Sequence, residues 1–249
     1  MIARDEYELF EAAAGAIAHA LASVADHRPI HFMLTGGPTA EGVYEALAER
    51  PDMLPQHRLY LYFGDERGVP PDHPASNYGM ARDTLLGALD VPGDQVHRIR
   101  GELDPSEAAA DAERHIRDSV EAPAPRVPAL DLVLLGVGDD GHIASLFPGS
   151  AALSDNTKLF TEAQNPAGYP RVTATLPLLC AARRIFIMAH GAELAPAIRR
   201  ALDEPPSPAT PASLVCPDRG GAIAYFLDEQ AARELSPASR ARIAGQHAA

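Results

Sequence analysis

Residues 130–138, LDLVLLGVG, constrain this chain more than any other segment. The run is continuous and apolar, so a strand built from it has no face to offer water. It must lie inside a sheet that is covered on both sides. Residues 30–34, 59–63 (LYLYF), 171–176 (RVTATL), 183–189 (RRIFIMA) and 221–227 (GAIAYFL) read as further strands. Helices fall between them. Residues 5–25 repeat Leu9, Ala13, Ile17 and Leu21 at helical spacing, and 106–120 and 193–202 read as helices too. AEGVYEALAER (40–50) is helical after a glycine turn, and Ser76-Asn77 is placed to cap a helix running to about Leu86. Strands alternating with helices predict an α/β fold with a mostly parallel sheet and helices on both faces.

At 249 residues, 46% of them hydrophobic, the chain can bury a large core without a disulfide or metal to hold it together. It reads as a single domain over 1–249. There is no internal repeat, and the proline-rich stretches at 123–128 (PAPRVP) and 203–213 (DEPPSPATPAS) are too short to divide it. The net charge is −13, from 34 acids against 21 bases, of which Lys158 is the one lysine. That balance disfavours nucleic acid and anionic membrane surfaces as partners. An anionic small molecule would have to be held by a local cluster of donors. Cys180 and Cys216 stand 36 positions apart in no metal-ligand spacing and read as reduced thiols. The acidic amphipathic start lacks the features of a secretory signal, and no apolar run is long enough to span a bilayer, so the expectation is a cytoplasmic protein.

In open α/β sheets, ligands bind beyond the carboxyl ends of the strands. Three segments fall there. Thr35-Gly36-Gly37-Pro38-Thr39 lies between a strand and a helix, where glycines admit a ligand and helix N–H groups suit a phosphate. Gly64-Asp65-Glu66-Arg67 puts charges at a strand end. Alternation would turn Asp65 and Arg67 to one cleft and Glu66 away. Gly136 to Pro148, GVGDDGHIASLFP, follows the most buried strand with glycines, two acids and His142. A histidine beside a carboxylate is suited to act as a general base. The nine other histidines are assigned structural or surface roles. Asp139, Asp140 and His142 are too close in sequence to form a metal set, and no dinucleotide fingerprint or G-x-S-x-G elbow is present.

With these segments in view, the chain resembles the 6-phosphogluconolactonases, within the superfamily that includes glucosamine-6-phosphate deaminase. The resemblance runs over nearly the whole chain. It is carried by LTGGPTAEGVYEAL, YFGDERGVPPDHPASNYGMARDTLL, LDLVLLGVGDDGHIASLFPGS and RVTATLPLLCAARRIFIMAHGAE. It implies a Rossmann-like α/β fold without cofactor or metal. The implied activity is hydrolysis of 6-phospho-D-glucono-1,5-lactone to 6-phosphogluconate, in the oxidative pentose phosphate pathway. The deaminase branch carries a glutamate where this chain has Phe147, which favours the lactonase over an amino-sugar-phosphate deaminase; a non-catalytic sugar-phosphate sensor is the other alternative, encouraged by Pro38 and Leu194. Four departures bear on the phosphate. Thr35 and Pro38 stand where serines are usual, Ala40 replaces a proline, and Leu194 replaces a common lysine.

On this reading His142 activates water, and Asp140 or Asp65 orients it. Arg67 and N–H groups of the 136–141 loop, including Gly138 and Gly141, stabilise the oxyanion and substrate. Gly36, Gly37, Thr39 and Arg171 hold the phosphate. The sequence leaves monomer and homodimer equally open.

Overall fold

The computed structural model describes residues 1–122, 127–165, 168–218 and 220–245. Ten strands and seven α-helices follow in order. The chain opens with β1 (Ile2–Ala3), α1 (Glu6–Ala22), β2 (Ile30–Leu34), α2 (Pro38–Ala48), β3 (Leu59–Phe63), β4 (Asp65–Arg67), α3 (Asn77–Thr84) and β5 (Val96–His97). It continues through α4 (Pro105–Ser119), β6 (Leu132–Gly136), β7 (Phe160–Gln164), β8 (Pro170–Ala174), α5 (Leu176–Cys180), β9 (Arg184–Ala189), α6 (Ala195–Asp203), β10 (Ala222–Asp228) and α7 (Pro237–Gly245).

Seven strands form one sheet in the order β1-β10-β9-β6-β2-β3-β5, and every pairing in it is parallel. All five residues of β2 are buried, as are four of the five in β6 and five of the six in β9. Because successive side chains point to opposite faces, this means that both faces of the central sheet are covered. The buried apolar side chains form one continuous cluster around these strands.

Strand order reverses between β2 and β6. After β2 the sheet grows one way, through β3 and β5. From β6 it grows the other way, through β9 and β10. Connections leaving neighbouring strands in opposite directions open a crevice at their carboxyl ends.

The helix boundaries follow capping chemistry. Asp5 caps α1 by accepting from the Glu8 amide, Ser76 caps α3 through the Gly79 amide, and Asp104 caps α4. The helix expected to start at residue 40 starts at Pro38, with Gly37 as N-cap. Proline suits this first position because its fixed φ is already helical.

One expectation is corrected in its placement. The RVTATL strand, here β8, does not join the parallel sheet. It pairs antiparallel with β4 on one side and β7 on the other, forming a separate three-stranded sheet. Strand β7 has no apolar run to announce it, and α5, α7, β1 and β5 are too short or too polar to stand out. The 123–128 linker lies for the most part outside the described residues. Among the described residues no helix is long and apolar enough to cross a membrane.

Candidate active site

A cleft of about 430 Å³ opens at the reversal point. Its floor is the ends of β2 and β6, Thr35 to Gly37 and Gly136 to Gly138, and its walls include Asp65, Arg67, His142, Phe147, Arg171 and His190. Of the ten residues expected at the site, Gly36, Gly37, Thr39, Asp65, Arg67, Gly138, His142 and Arg171 line this cleft. Asp140 and Gly141 lie behind it, in the loop that shapes its edge.

The His142 loop is wound tightly. The Gly138 amide donates to the His142 carbonyl at 2.9 Å, and the Gly141 amide donates to the Gly138 carbonyl at 2.9 Å. Both amides are therefore spent inside the loop, which counts against their use as substrate or oxyanion donors. These glycines are needed for shape instead. A Cβ on Gly138 would come within 2.2 Å of the His142 ring. Gly141 has φ +92° and packs on Thr210, and its carbonyl accepts from the Ala212 amide at 2.9 Å. The proline-rich 203–213 segment thus braces the loop from behind.

Asp140 Oδ1 accepts from the His142 amide at 2.9 Å and lies 2.7 Å from His142 Nδ1. With Nδ1–H donated to this carboxylate, Nε2 keeps the lone pair that a base requires. The Phe147 ring sits 4.8 Å from the imidazole and gives it an apolar wall. Of the two acids that sequence left open as the orienting group, Asp140 holds the imidazole.

Asp65 is engaged elsewhere. It is buried, accepts from Ser145 Oγ at 2.6 Å and from Asn77 Nδ2 at 3.1 Å, and lies 3.7 Å from an Arg171 nitrogen. Alternation along β4 puts Asp65 and Arg67 on the cleft side and Glu66 on the other. Glu66 is not idle there. It is buried and accepts from Ser76 Oγ at 3.0 Å, the Asn77 amide at 2.7 Å and the Tyr78 amide at 2.8 Å. Burial raises its pKa above the usual carboxylate range, and these amide donors pull it back. Its carboxylate ties the start of α3 to β4, which fixes Asn77.

Arg67 and Arg171 are direct partners across the β4–β8 pair. Like charges in that position repel. The Nε atoms of both are buried without a hydrogen-bond partner among the described residues. Burial lowers the Arg171 pKa, and nearby Arg67 adds to this, while Asp65 opposes it. Two adjacent guanidiniums in the cleft wall concentrate positive charge there, with Asp65 beside Arg171.

Sequence reasoning missed three cleft-shaping residues and the contact made by a fourth, Phe147. Asn77 was read only as a helix cap. Its side chain occupies the space above Gly36, where a Cβ would come within 1.9 Å of its Oδ1. Ser145 and Phe147 sat in the recognised motif without an assigned contact. His190 was set aside with the surface histidines, yet it lines the cleft, 2.9 Å from Thr39 Oγ1. The signal available for it was its position, directly after an apolar strand and before Gly191. Among the described residues, no three His, Cys, Asp or Glu side chains are grouped to hold a metal.

Fold and site together define a parallel α/β protein with a histidine–carboxylate couple and paired arginines at its topological switch point. The family described as "Glucosamine-6-phosphate isomerases/6-phosphogluconolactonase" matches residues 4–224. The chain belongs to this family. It is 38% identical over 205 residues to a 6-phosphogluconolactonase of Nostoc sp., covering 82% of this chain and 83% of that one. It is 44% identical over 181 residues to the Rattus norvegicus 6-phosphogluconolactonase, covering 72% and 69%. The solved 6-phosphogluconolactonase of Trypanosoma brucei superposes with a TM-score of 0.83 at 28% identity, over 95% of this chain and 98% of that one.

Proposed function

We propose that this chain hydrolyses 6-phospho-D-glucono-1,5-lactone to 6-phosphogluconate, with His142 as the general base. The observation that carries the reading is one cleft holding both the oriented His142–Asp140 couple and the Arg67–Arg171 pair. The substrate has a phosphate at one end and develops a second negative charge at C1 during hydrolysis. Two arginines match two negative charges. The names of the relatives support the same substrate.

His142 Nε2 takes a proton from a water as that water attacks the C1 carbonyl. Asp140 keeps the Nδ1 proton in place and stabilises the imidazolium. Arg67 faces the developing oxyanion, a contribution commonly worth about 3 kcal/mol per donor. As the tetrahedral intermediate collapses, the imidazolium returns its proton to the ring oxygen, which leaves C1 and becomes the C5 hydroxyl. Arg171, Thr39 and the open amides at the start of α2 hold the phosphate. Pro38 supplies no N–H, but Thr39 and Ala40 follow it in the first helical turn. Phe147 against His142 leaves no further acid or base at that wall, and an ester hydrolysis needs none.

The test is the hydrolysis rate of freshly generated lactone, with spontaneous hydrolysis subtracted. Acceleration by the native chain that His142→Ala abolishes is the expected result. A native rate at background overturns the proposal.

A further inference from the structure

The geometry points to His190 as a second phosphate-binding cation, which acts through and beside Thr39. This rests on the lactonase reading for the identity of the phosphate, and on the geometry alone for the anion site.

His190 follows β9 and enters the cleft between α1 and the first turn of α2. Its Nδ1 lies 2.9 Å from Thr39 Oγ1, and its Nε2 lies 3.6 Å from a Glu6 carboxylate oxygen. Phe10 of α1 meets the ring edge-on, with centroids 5.4 Å apart. The three polar groups form a line from Glu6, at the surface, to Thr39, which is buried at the cleft.

The line has two proton arrangements. In the neutral ring, Glu6 favours the proton on Nε2. Nδ1 then accepts from the Thr39 hydroxyl, and that hydrogen is lost to any ligand. In the imidazolium, Nδ1–H donates to Thr39 Oγ1. The hydroxyl hydrogen is then released toward the cleft, and a positive charge stands behind it. Only the second arrangement serves an anion.

The charged neighbours set the balance. Glu6 comes from α1, and Glu193 lies on the loop of His190 itself. Asp228, at the end of β10, accepts from the adjacent Gly191 amide. Across the cleft stand Asp65 and Asp139, with Arg67 and Arg171 opposing them. Leu194, also in the cleft wall, brings no charge.

The experiment compares KM and kcat of the native chain, His190→Gln, His190→Asn and the double variant His190→Gln/Leu194→Lys between pH 6 and 8. Loss of one charged hydrogen bond is expected to raise KM roughly 10- to 100-fold in His190→Gln at pH 6. Its kcat should stay within about twofold. The phosphate ionises in this pH range but does so equally for both, so the ratio isolates the imidazole. His190→Asn places an uncharged amide donor within reach of Thr39 and should give an intermediate KM ratio. Leu194→Lys should restore binding at all pH values. A KM ratio near one, or a loss confined to kcat, overturns the inference. Calorimetric titration with 6-phosphogluconate separates this from failure of the lactonase reading. A chain that hydrolyses nothing but binds the sugar acid through His190 upholds the site and refutes the reaction. Equal binding by the native chain and His190→Gln refutes the site.

Discussion

The two ends of the parallel sheet treat buried charge in opposite ways. At the amino end of β6, Asp131 is buried and fully partnered. It accepts from Arg28 at 2.5 and 3.1 Å and from the His31 amide at 2.9 Å, and Arg183 stands 3.4 Å away. At the carboxyl end, Arg67 and Arg171 keep unpartnered buried Nε atoms, and Asn77 keeps an unpartnered Oδ1. One end uses its charges up within the protein and is built for stability. The other leaves two guanidinium donors and one amide acceptor unpartnered beside the engaged acids Asp65 and Glu66, together with the positive-φ glycines at 37 and 141. Charged residues alone do not mark a site; incomplete satisfaction of them does.

That contrast can be broken in four ways, taken from the largest expected effect downward. His142→Ala should lower kcat by about 10²–10⁴ with little change in melting temperature, measured by lactone hydrolysis and calorimetry. Asp131→Asn should do the reverse. It strands Arg28 and Arg183 and should cost about 3 kcal/mol in urea unfolding, leaving kcat and KM unchanged, because β6 separates it from the cleft by roughly 17 Å. A change in kcat there would mean that the two ends are coupled.

The third concerns acid. His31, in the middle of the sheet, is buried beside Tyr62, and desolvation pushes its pKa down to about 4 from 6.5. Between those values the unfolded chain binds a proton that the folded chain refuses. Stability therefore falls as pH drops from 6.5 to 4, by roughly 3 kcal/mol in total. His31→Gln should flatten that slope in denaturant titrations run at each pH. An unchanged slope would assign the acid sensitivity to other groups. The smallest effect is the most discriminating. Arg171→Met should raise KM about 10- to 100-fold with only a small change in the stability of the unliganded protein, because relief of the repulsion with Arg67 offsets the lost attraction to Asp65. A clear loss of stability would place Arg171 with the fully partnered charges of the other end.

Much of the fold was legible because the informative segments are extreme. The apolar runs at 30–34, 59–63, 130–138 and 183–189 have no plausible place except a doubly covered sheet. Glycine turns and Ser76 mark where helices begin. The small antiparallel sheet was not legible. RVTATL has the composition of a strand in either sheet, and its partner β7, FTEAQ, carries no signal of its own. At the site, the residues of the GVGDDGH and GDER motifs stood out by composition. Asn77, Ser145 and His190 did not, because the contact that ties each to the site is with a residue elsewhere in the chain. For Asn77 that contact is to Asp65, for Ser145 also to Asp65, and for His190 to Thr39.

What the sequence determined by itself is local in character: a parallel α/β chain, three loops at strand ends, a histidine with a carboxylate two residues before it. A spacing of two residues already puts Asp140 within reach of His142. The tertiary structure alone decided which charges are left over. Arg67 and Arg171 are 104 positions apart, and only the pairing of β4 with β8 sets them side by side. Repulsion between like charges depends on separation in space, and separation in space is set by strand pairing rather than by the order of residues in the chain.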